Sequence, residues 1–465
     1  MYRIKHWLYG VALLGCFSTM ALAQTSTGSV STSSTGSKYN IYRTELNNGL
    51  DVIVIENPIV PLATVEIDVH SGAFVESPEY DGLSHLYEHM FFKANEVIPN
   101  QERFLERTRE LGMSWNGTTS EERVNYYFTL PKDSLRQGLE FMNAAIRTPL
   151  FLEDELVRER PVVTGEYDRA ESNPFYHLGV AVNKKMWQKY YSHKNVIGDR
   201  EIILTADKNK MKTIQQRYYV PNNSALLVAG DVKHEEIFKL AENVFGSWSR
   251  GEDHFVKHPA PEHPPLEKSE VVVVEKPVSA VSVQIAMHGP SVSKDPKSTY
   301  AADVLSFILG QPNSKFQKQL VDSGLLTSAS LGYYTLDKTG PITVFGQTSP
   351  DKYEAAVKAV FDELKRFTES DYFTDDQLAA AKNQLEIQER FGQERPSNFV
   401  HTLGFWWSVA GLDYYLNYVD NLRKVSREDI NAYVRTYIQS KPYIMGILLS
   451  PENRQKLSIK EGEPL

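Results

Sequence analysis

Gly82-Leu83-Ser84-His85-Leu86-Tyr87-Glu88-His89-Met90 reads as a helix that carries its chemistry on one side. Leu83, Leu86 and Met90 form an apolar stripe at helical spacing, and Asp81 or Ser84 can cap the start. Four residues at about 3.6 per turn return to nearly one azimuth, so His85 and His89 project together. Glu88, three residues after His85 and one before His89, shares that side. Neutral imidazoles are good ligands for Zn²⁺, and a carboxylate beside the open coordination position can take a proton from a bound water. The order His-x-x-Glu-His inverts the commoner His-Glu-x-x-His metal helix. Two rings alone leave the ion short of the three protein ligands that a hydrolytic site has.

The run Glu155-Leu156-Val157-Arg158-Glu159-Arg160-Pro161-Val162-Val163-Thr164-Gly165-Glu166 offers a third. It reads as a charged helix that Pro161 either bends or starts. Glu159 and Glu166 are seven residues apart, two turns, so an unbroken helix places both on one face. With this run the chain resembles the pitrilysin/insulinase family of zinc peptidases, which includes the mitochondrial processing peptidase. In that family a glutamate ligand follows the inverted motif at the spacing found here: 76 residues, 90 to 165, separate His89 from Glu166.

The resemblance implies His85, His89 and Glu166 as the Zn²⁺ ligands, Glu88 as the general base, and Glu159 as a second carboxylate supporting the site. It also implies that Gly112-Met113-Ser114-Trp115-Asn116-Gly117-Thr118-Thr119, followed by Tyr126, contains an edge strand along which substrate lies, with Asn116 and Gly117 beside it. The family usually has alanine where Gly117 stands, a departure expected to leave room beside the backbone. Ile197-Gly198 after His193, and Tyr219-Val220-Pro221-Asn222-Asn223 with Gly230-Asp231, match further landmarks. The resemblance covers nearly all of the chain after residue 39.

Two halves of the sequence echo each other. The first opens with the strand-like runs Leu50–Ile55 and Ala63–Val69, the second with Val271–Glu275 and Ala280–Ala286. Each closes on a helical pattern followed by an apolar strand, and an offset of 219 places Met211, Ile214 and Tyr218 on Ile430, Tyr433 and Tyr437. This is the pattern of a duplicated α+β domain, each sheet covered on one face by helices; the resemblance implies two homologous α/β-roll domains, each a mainly antiparallel sheet, facing each other across a chamber. The expected boundaries are 39–250 for the N-terminal zinc domain and 269–465 for its C-terminal homologue. A Pro-rich linker, 251–268, holds Pro259, Pro261, Pro264 and Pro265. Its histidines, His254, His258 and His263, read as solvated rather than as a second metal site. Phe405-Trp406-Trp407, at the start of an apolar helix, reads as core.

Residues 1–23 read as a signal peptide. Arg3 and Lys5 precede an apolar run from Trp7, and Ala21-Leu22-Ala23 precedes Gln24 as a small-x-small cleavage site. This pattern implies a periplasmic or secreted location, with a Ser/Thr/Gly-rich tether over 24–38. Leu13-Leu14-Gly15-Cys16 also resembles a lipoprotein signal, although bulky Leu14 and the apolar stretch from Phe17 to Ala23 argue against lipidation. Cys16 is the only cysteine, so cleavage after Ala23 removes any disulfide or thiol chemistry. The net charge of −9, from 50 Lys and Arg against 59 Asp and Glu, argues against nucleic acid as a partner.

Complete members of the family carry, in the second half, an arginine and a tyrosine that reach the substrate. They lie in a segment of the type Ser-Arg-Leu, then Leu-Arg, then Gly-Leu-x-Tyr. This chain has Ser314-Lys315-Phe316, then Leu320-Val321, then Gly324-Leu325-Leu326-Thr327, which puts Val321 and Thr327 at those positions. Tyr333 and Tyr334 are out of register. Some bacterial relatives divide zinc and the Arg/Tyr pair between two chains, and this one resembles the zinc-bearing chain. The resemblance therefore implies a zinc-dependent endopeptidase cutting peptides or unfolded segments, as a heterodimer with a homologous subunit that carries the pair. The rival reading is a noncatalytic zinc-binding assembly subunit, against which the intact His85, Glu88, His89, Glu166 set weighs. A metal-storing structural site would want a fourth ligand, and no Cys or further His lies near the motif.

Overall fold

Apolar, β-branched runs at the start of each half become sheet strands, as their composition favours. The computed structural model describes residues 40–260 and 262–463, so the expected signal peptide, tether and Cys16 lie outside the described residues. The first half holds β1 (Ile41–Glu45), β2 (Asp51–Glu56), β3 (Leu62–Val69), β4 (Ser114–Thr119), β5 (Val124–Pro131) and β6 (Ser224–Gly230), in the sheet order β1-β2-β6-β3-β5-β4. The second half holds β7 (Glu270–Glu275), β8 (Val281–His288), β9 (Ser328–Tyr333), β10 (Pro341–Thr348) and β11 (Ile444–Leu449), in the order β7-β11-β8-β10-β9. Among the described residues, only β2 with β6 and β7 with β11 run parallel. The duplication extends beyond the closing helix. β2, β3 and the helix Lys208–Tyr218 recur as β7, β8 and the helix Arg427–Tyr437, each 219 residues further on.

Among its helices the first half forms α1 (Leu83–Phe91), α2 (Gln101–Glu110), α3 (Leu135–Arg147), α4 (Glu153–Glu171) and α5 (Pro174–Trp187). One face of the first sheet, with Val52, Val54, Val65, Ile67, Leu226 and Val228, packs against Leu86 and Met90 of α1 and Leu139 and Met142 of α3. The opposite face is also closed, which corrects the expectation of sheets covered on one side only. Ile53, Ile55, Leu227 and Ala229 join the second-half core with Val400, Leu403 and Trp406 from the helix Pro396–Val409. Reciprocally, Leu178, Val182, Met186 and Trp187 of α5 pack on Val272, Ala286, Ile444 and Leu448 of the second sheet. Each half thus lends a helix to the other's sheet. Each such side chain contributes roughly 1.5–3 kcal/mol on burial, so this exchange joins the halves far more firmly than a linker does.

The 251–268 segment is not the extended, solvated linker that its prolines suggest. Asp253 caps a short turn of helix, His254–Lys257, and Leu266 is buried in the cluster beneath α5. The ring of His263 lies 4.8 Å from that of Trp187, with Tyr190 and His193 also around it, and burial pushes its pKa down to about 3. His254 and His258 are neighbours, their ring centroids 4.8 Å apart, whereas His263 packs among different residues. The Phe405-Trp406-Trp407 run is core as expected: Trp406 is buried, and Trp407 Nε1 donates to Asp51 Oδ2 at 2.9 Å.

The start of α1 is set by contacts distant in sequence. Neither Asp81 nor Ser84 caps it; Glu76 does, its carboxylate accepting the Gly82 N–H at 2.7 Å and the Ser84 N–H at 2.6 Å. Burial pushes the Glu76 carboxyl well above the usual range despite those donors. Gly82 and Gly198 both hold positive φ, 89° and 87°, and their backbones touch. A Cβ on Gly198 would stand 2.2 Å from the Gly82 Cα. Gly198→Ala therefore combines a left-handed strain with a backbone clash, and we expect it to lower stability by at least about 2 kcal/mol. Thermal unfolding of that variant, followed by circular dichroism, checks this.

Candidate metal centre

α1 and α4 run side by side, and their facing side chains build the site. The pattern of α1 buries Leu86 and Met90 in the core and leaves His85 and His89 on the side that meets α4. Pro161 lies inside α4, which runs unbroken from Glu153 to Glu171, so Glu159 and Glu166 do share a face. Buried Glu155 fixes α4 in place: its carboxylate accepts the Ala94 N–H at 3.0 Å and the Gln101 N–H at 3.1 Å, tying α4 to the end of α1 and the start of α2.

His85, His89 and Glu166 each offer a ligand atom, and these atoms all lie within 4.8 Å of one another. His85 Nε2 is 3.5 Å from Glu166 Oε2, and the two imidazole rings are 5.0 Å apart. Tetrahedral ligand atoms around Zn²⁺ sit about 3.3 Å apart. The two imidazole nitrogens and one carboxylate oxygen of this set are donors that would suit Zn²⁺ and would leave a coordination position open. Burial alone would lower the His85 pKa, but the hydrogen bond to Glu166 and the charges of Glu88 and Glu166 outweigh it and raise the pKa above its ordinary value. Glu166 is held below the usual carboxylate range, first by its hydrogen bond to His85.

Glu159 supports rather than joins this set. His89 Nδ1 donates to Glu159 Oε1 at 2.8 Å, and Lys93 Nζ approaches Glu159 Oε2 at 2.5 Å. Burial would raise the Glu159 pKa, but the His89 and Lys93 hydrogen bonds outweigh it, so the carboxyl is held below its usual range. The contact fixes the His89 ring with Nδ1 as donor and leaves Nε2 for a metal. Removing such an outer partner costs about 10- to 100-fold in metal affinity. We expect that loss in Glu159→Ala, read by zinc titration of a variant whose circular dichroism is unchanged.

Glu88 is buried beside the set, its Oε2 accepting a hydrogen bond from Thr119 Oγ1 at 2.7 Å. Among the described residues β4 pairs only with β5, so it is the sheet edge that the resemblance implied, with Asn116 exposed and Gly117 buried on it. The room expected beside Gly117 is already taken: a Cβ there would meet Glu88 Cγ at 3.0 Å and Phe92 at 3.1 Å. In the second half Val321 packs partly buried against the core, and Thr327 places its N–H 2.8 Å from the Gln347 carbonyl. Three supporting residues escaped the sequence reading: Glu155, Lys93 and Thr119. For Lys93 a signal existed, since it comes one helical turn after His89. Glu155 looked like one more charge on a charged helix, and nothing local distinguishes Thr119.

The family description "Insulinase (Peptidase family M16)" matches residues 51–200, and "Peptidase M16 inactive domain" matches residues 205–385. A Rickettsia felis protein named an uncharacterized zinc protease is 24% identical over 386 residues, spanning 80% of this chain and 89% of its own length. The probable mitochondrial-processing peptidase subunit beta of Arabidopsis thaliana is 26% identical over 270 residues, 58% of this chain and 50% of its own. Among solved structures, a protease from Helicobacter pylori superposes with a TM-score of 0.80 at 22% identity, covering 88% of this chain and 100% of that one. That likeness speaks for the fold.

Proposed function

Because the chain belongs to the insulinase family of peptidases, M16, whose metal is zinc, we propose that it is a zinc-dependent endopeptidase acting on peptides or unfolded segments. One observation carries the reading. His85, His89 and Glu166 converge within 4.8 Å, and buried Glu88 lies alongside at an open sheet edge. Zinc, when bound, supplies Lewis acidity toward a water and the scissile carbonyl. Glu88 takes a proton from the attacking water and later gives it to the leaving amine. Glu159 and Lys93 hold the His89 ring in its ligating orientation. β4 receives an extended segment by main-chain pairing, which brings that segment past Gly117 and Glu88 with little demand on its sequence. The variant Glu88→Gln, with metal and hydrolysis measured side by side, tests this assignment.

The finer reading is a two-chain enzyme in which this chain is the catalytic subunit. Val321 and Thr327 stand where the family places an arginine and a tyrosine, so the pair is expected on a homologous partner. The same two residues favour the second reading, a noncatalytic zinc-binding assembly subunit. Export to the periplasm or beyond is proposed from the basic, apolar and small-residue pattern of residues 1–23, with a lipid anchor at Cys16 as its alternative.

A further inference from the structure

A carboxylate that handles a proton has two oxygens, and what surrounds each decides which one is available. Glu88 is only 9% exposed, and its two oxygens meet different neighbours. Oε2 accepts from the Thr119 hydroxyl at 2.7 Å. Oε1 faces the backbone of Gly117, where an added Cβ would come to 3.1 Å. Gly117 and Thr119 are two apart on β4, so they share the face turned toward α1. The carboxylate is held between them.

Thr119 is itself well fixed. A β-branched side chain on a strand has a restricted χ1, which keeps its hydroxyl aimed. The turn after it is pinned from several directions. Ser120 N–H donates to the Arg123 carbonyl at 2.8 Å, and the Ser120 and Glu121 carbonyls accept from Ala73 and Phe74 at 3.2 and 2.8 Å. From the second half, the N–H groups of Asp337 and Lys338 donate to the buried Glu122 carboxylate at 2.6 and 2.9 Å. The second half therefore grips the turn at the end of β4, and β4 ends on the residue that touches Glu88.

We propose that Thr119 is a positioning residue for Glu88: its hydroxyl occupies Oε2 and leaves Oε1, on the Gly117 side where an added peptide strand would pass, as the oxygen that exchanges the proton. This rests on the reading of Glu88 as the base of a peptidase. A threonine that serves only to pack β4 would have the same position but no requirement for its hydroxyl.

The test compares Thr119→Val, which keeps the shape and removes the hydroxyl, with Thr119→Ser, which keeps the hydroxyl. Each is assayed with the related subunit present, on an internally quenched unfolded peptide, with bound zinc measured on the same preparations. Thr119→Val is expected to lower kcat by about 10- to 100-fold, with KM within about twofold and one zinc per chain retained. Thr119→Ser stays within about threefold of the unsubstituted protein. Undiminished kcat in Thr119→Val overturns the proposal. So does zinc loss that parallels its loss of turnover, or an equal loss in Thr119→Ser, since either marks a structural role. Absence of turnover in the unsubstituted protein would instead sink the peptidase reading, and this inference with it.

Discussion

Glu88→Gln is expected to bind zinc as the unsubstituted chain does and to lose peptide hydrolysis by about 10²- to 10⁴-fold, the range that a positioned base contributes. Glu88 stands outside the set of three converging ligand atoms, so the amide leaves His85, His89 and Glu166 untouched. Gln is close to Glu in shape, fits beside Gly117, and can still accept the Thr119 hydrogen bond through its carbonyl oxygen. What it cannot do is take a proton. His85→Ala and His89→Ala are expected to behave differently, because each removes one of three donors and the metal should go with it. Zinc content by elemental analysis, set beside initial rates on one peptide, separates the two classes. Hydrolysis by Glu88→Gln at the unsubstituted rate would remove Glu88 from the mechanism.

We expect the chain expressed alone to cleave peptide about 10²- to 10³-fold more slowly than the chain together with a related subunit that carries the Arg/Tyr pair. The tetrahedral species formed in amide hydrolysis gathers negative charge on the carbonyl oxygen, and donors aimed at that oxygen are among the largest contributions to the rate. Val321 has no polar side-chain atom to offer, and the Thr327 hydroxyl is turned to the Gln347 carbonyl at 3.3 Å. A second copy of this chain would bring the same two residues, so self-association does not repair the deficit. Co-expression with a homologous subunit from the same organism, with mass in solution and turnover then measured, reads the effect. Full activity from a monomer would mean that this chain supplies the missing donors from elsewhere, and the two-chain account would fail.

What the sequence disclosed depends on the range of its physical signals. Helical periodicity and the three-residue offset from His85 to Glu88 are local, so α1 and its chemical face were legible. Glu159 and Glu166 needed only an unbroken helix, which α4 provides despite Pro161. The repeat of β2 and β3 as β7 and β8 was visible in composition alone. Contacts between distant segments were not. An apolar stripe on Pro174–Trp187 states that the helix is buried but not against which sheet, so the exchange of α5 and Pro396–Val409 could not be read. Glu76 replaces the nearby cap candidates because the touching backbones of Gly82 and Gly198 set how the chain enters α1. His263 looked solvated in a proline-rich run, yet it packs on Trp187, which lies 76 residues earlier. Lys93 and Thr119 matter only because folding brings them to Glu159 and Glu88.

One zinc ion held by His85, His89 and Glu166 is proposed to give this chain its peptidase activity. Metal-free protein, combined with its related subunit, should be titrated with zinc while cleavage of an unfolded peptide is monitored continuously. Turnover is expected to rise in proportion to added metal and to level off at one zinc per chain of this protein. Turnover that is present before any zinc is added, or that stays absent when the metal is fully bound, would contradict it.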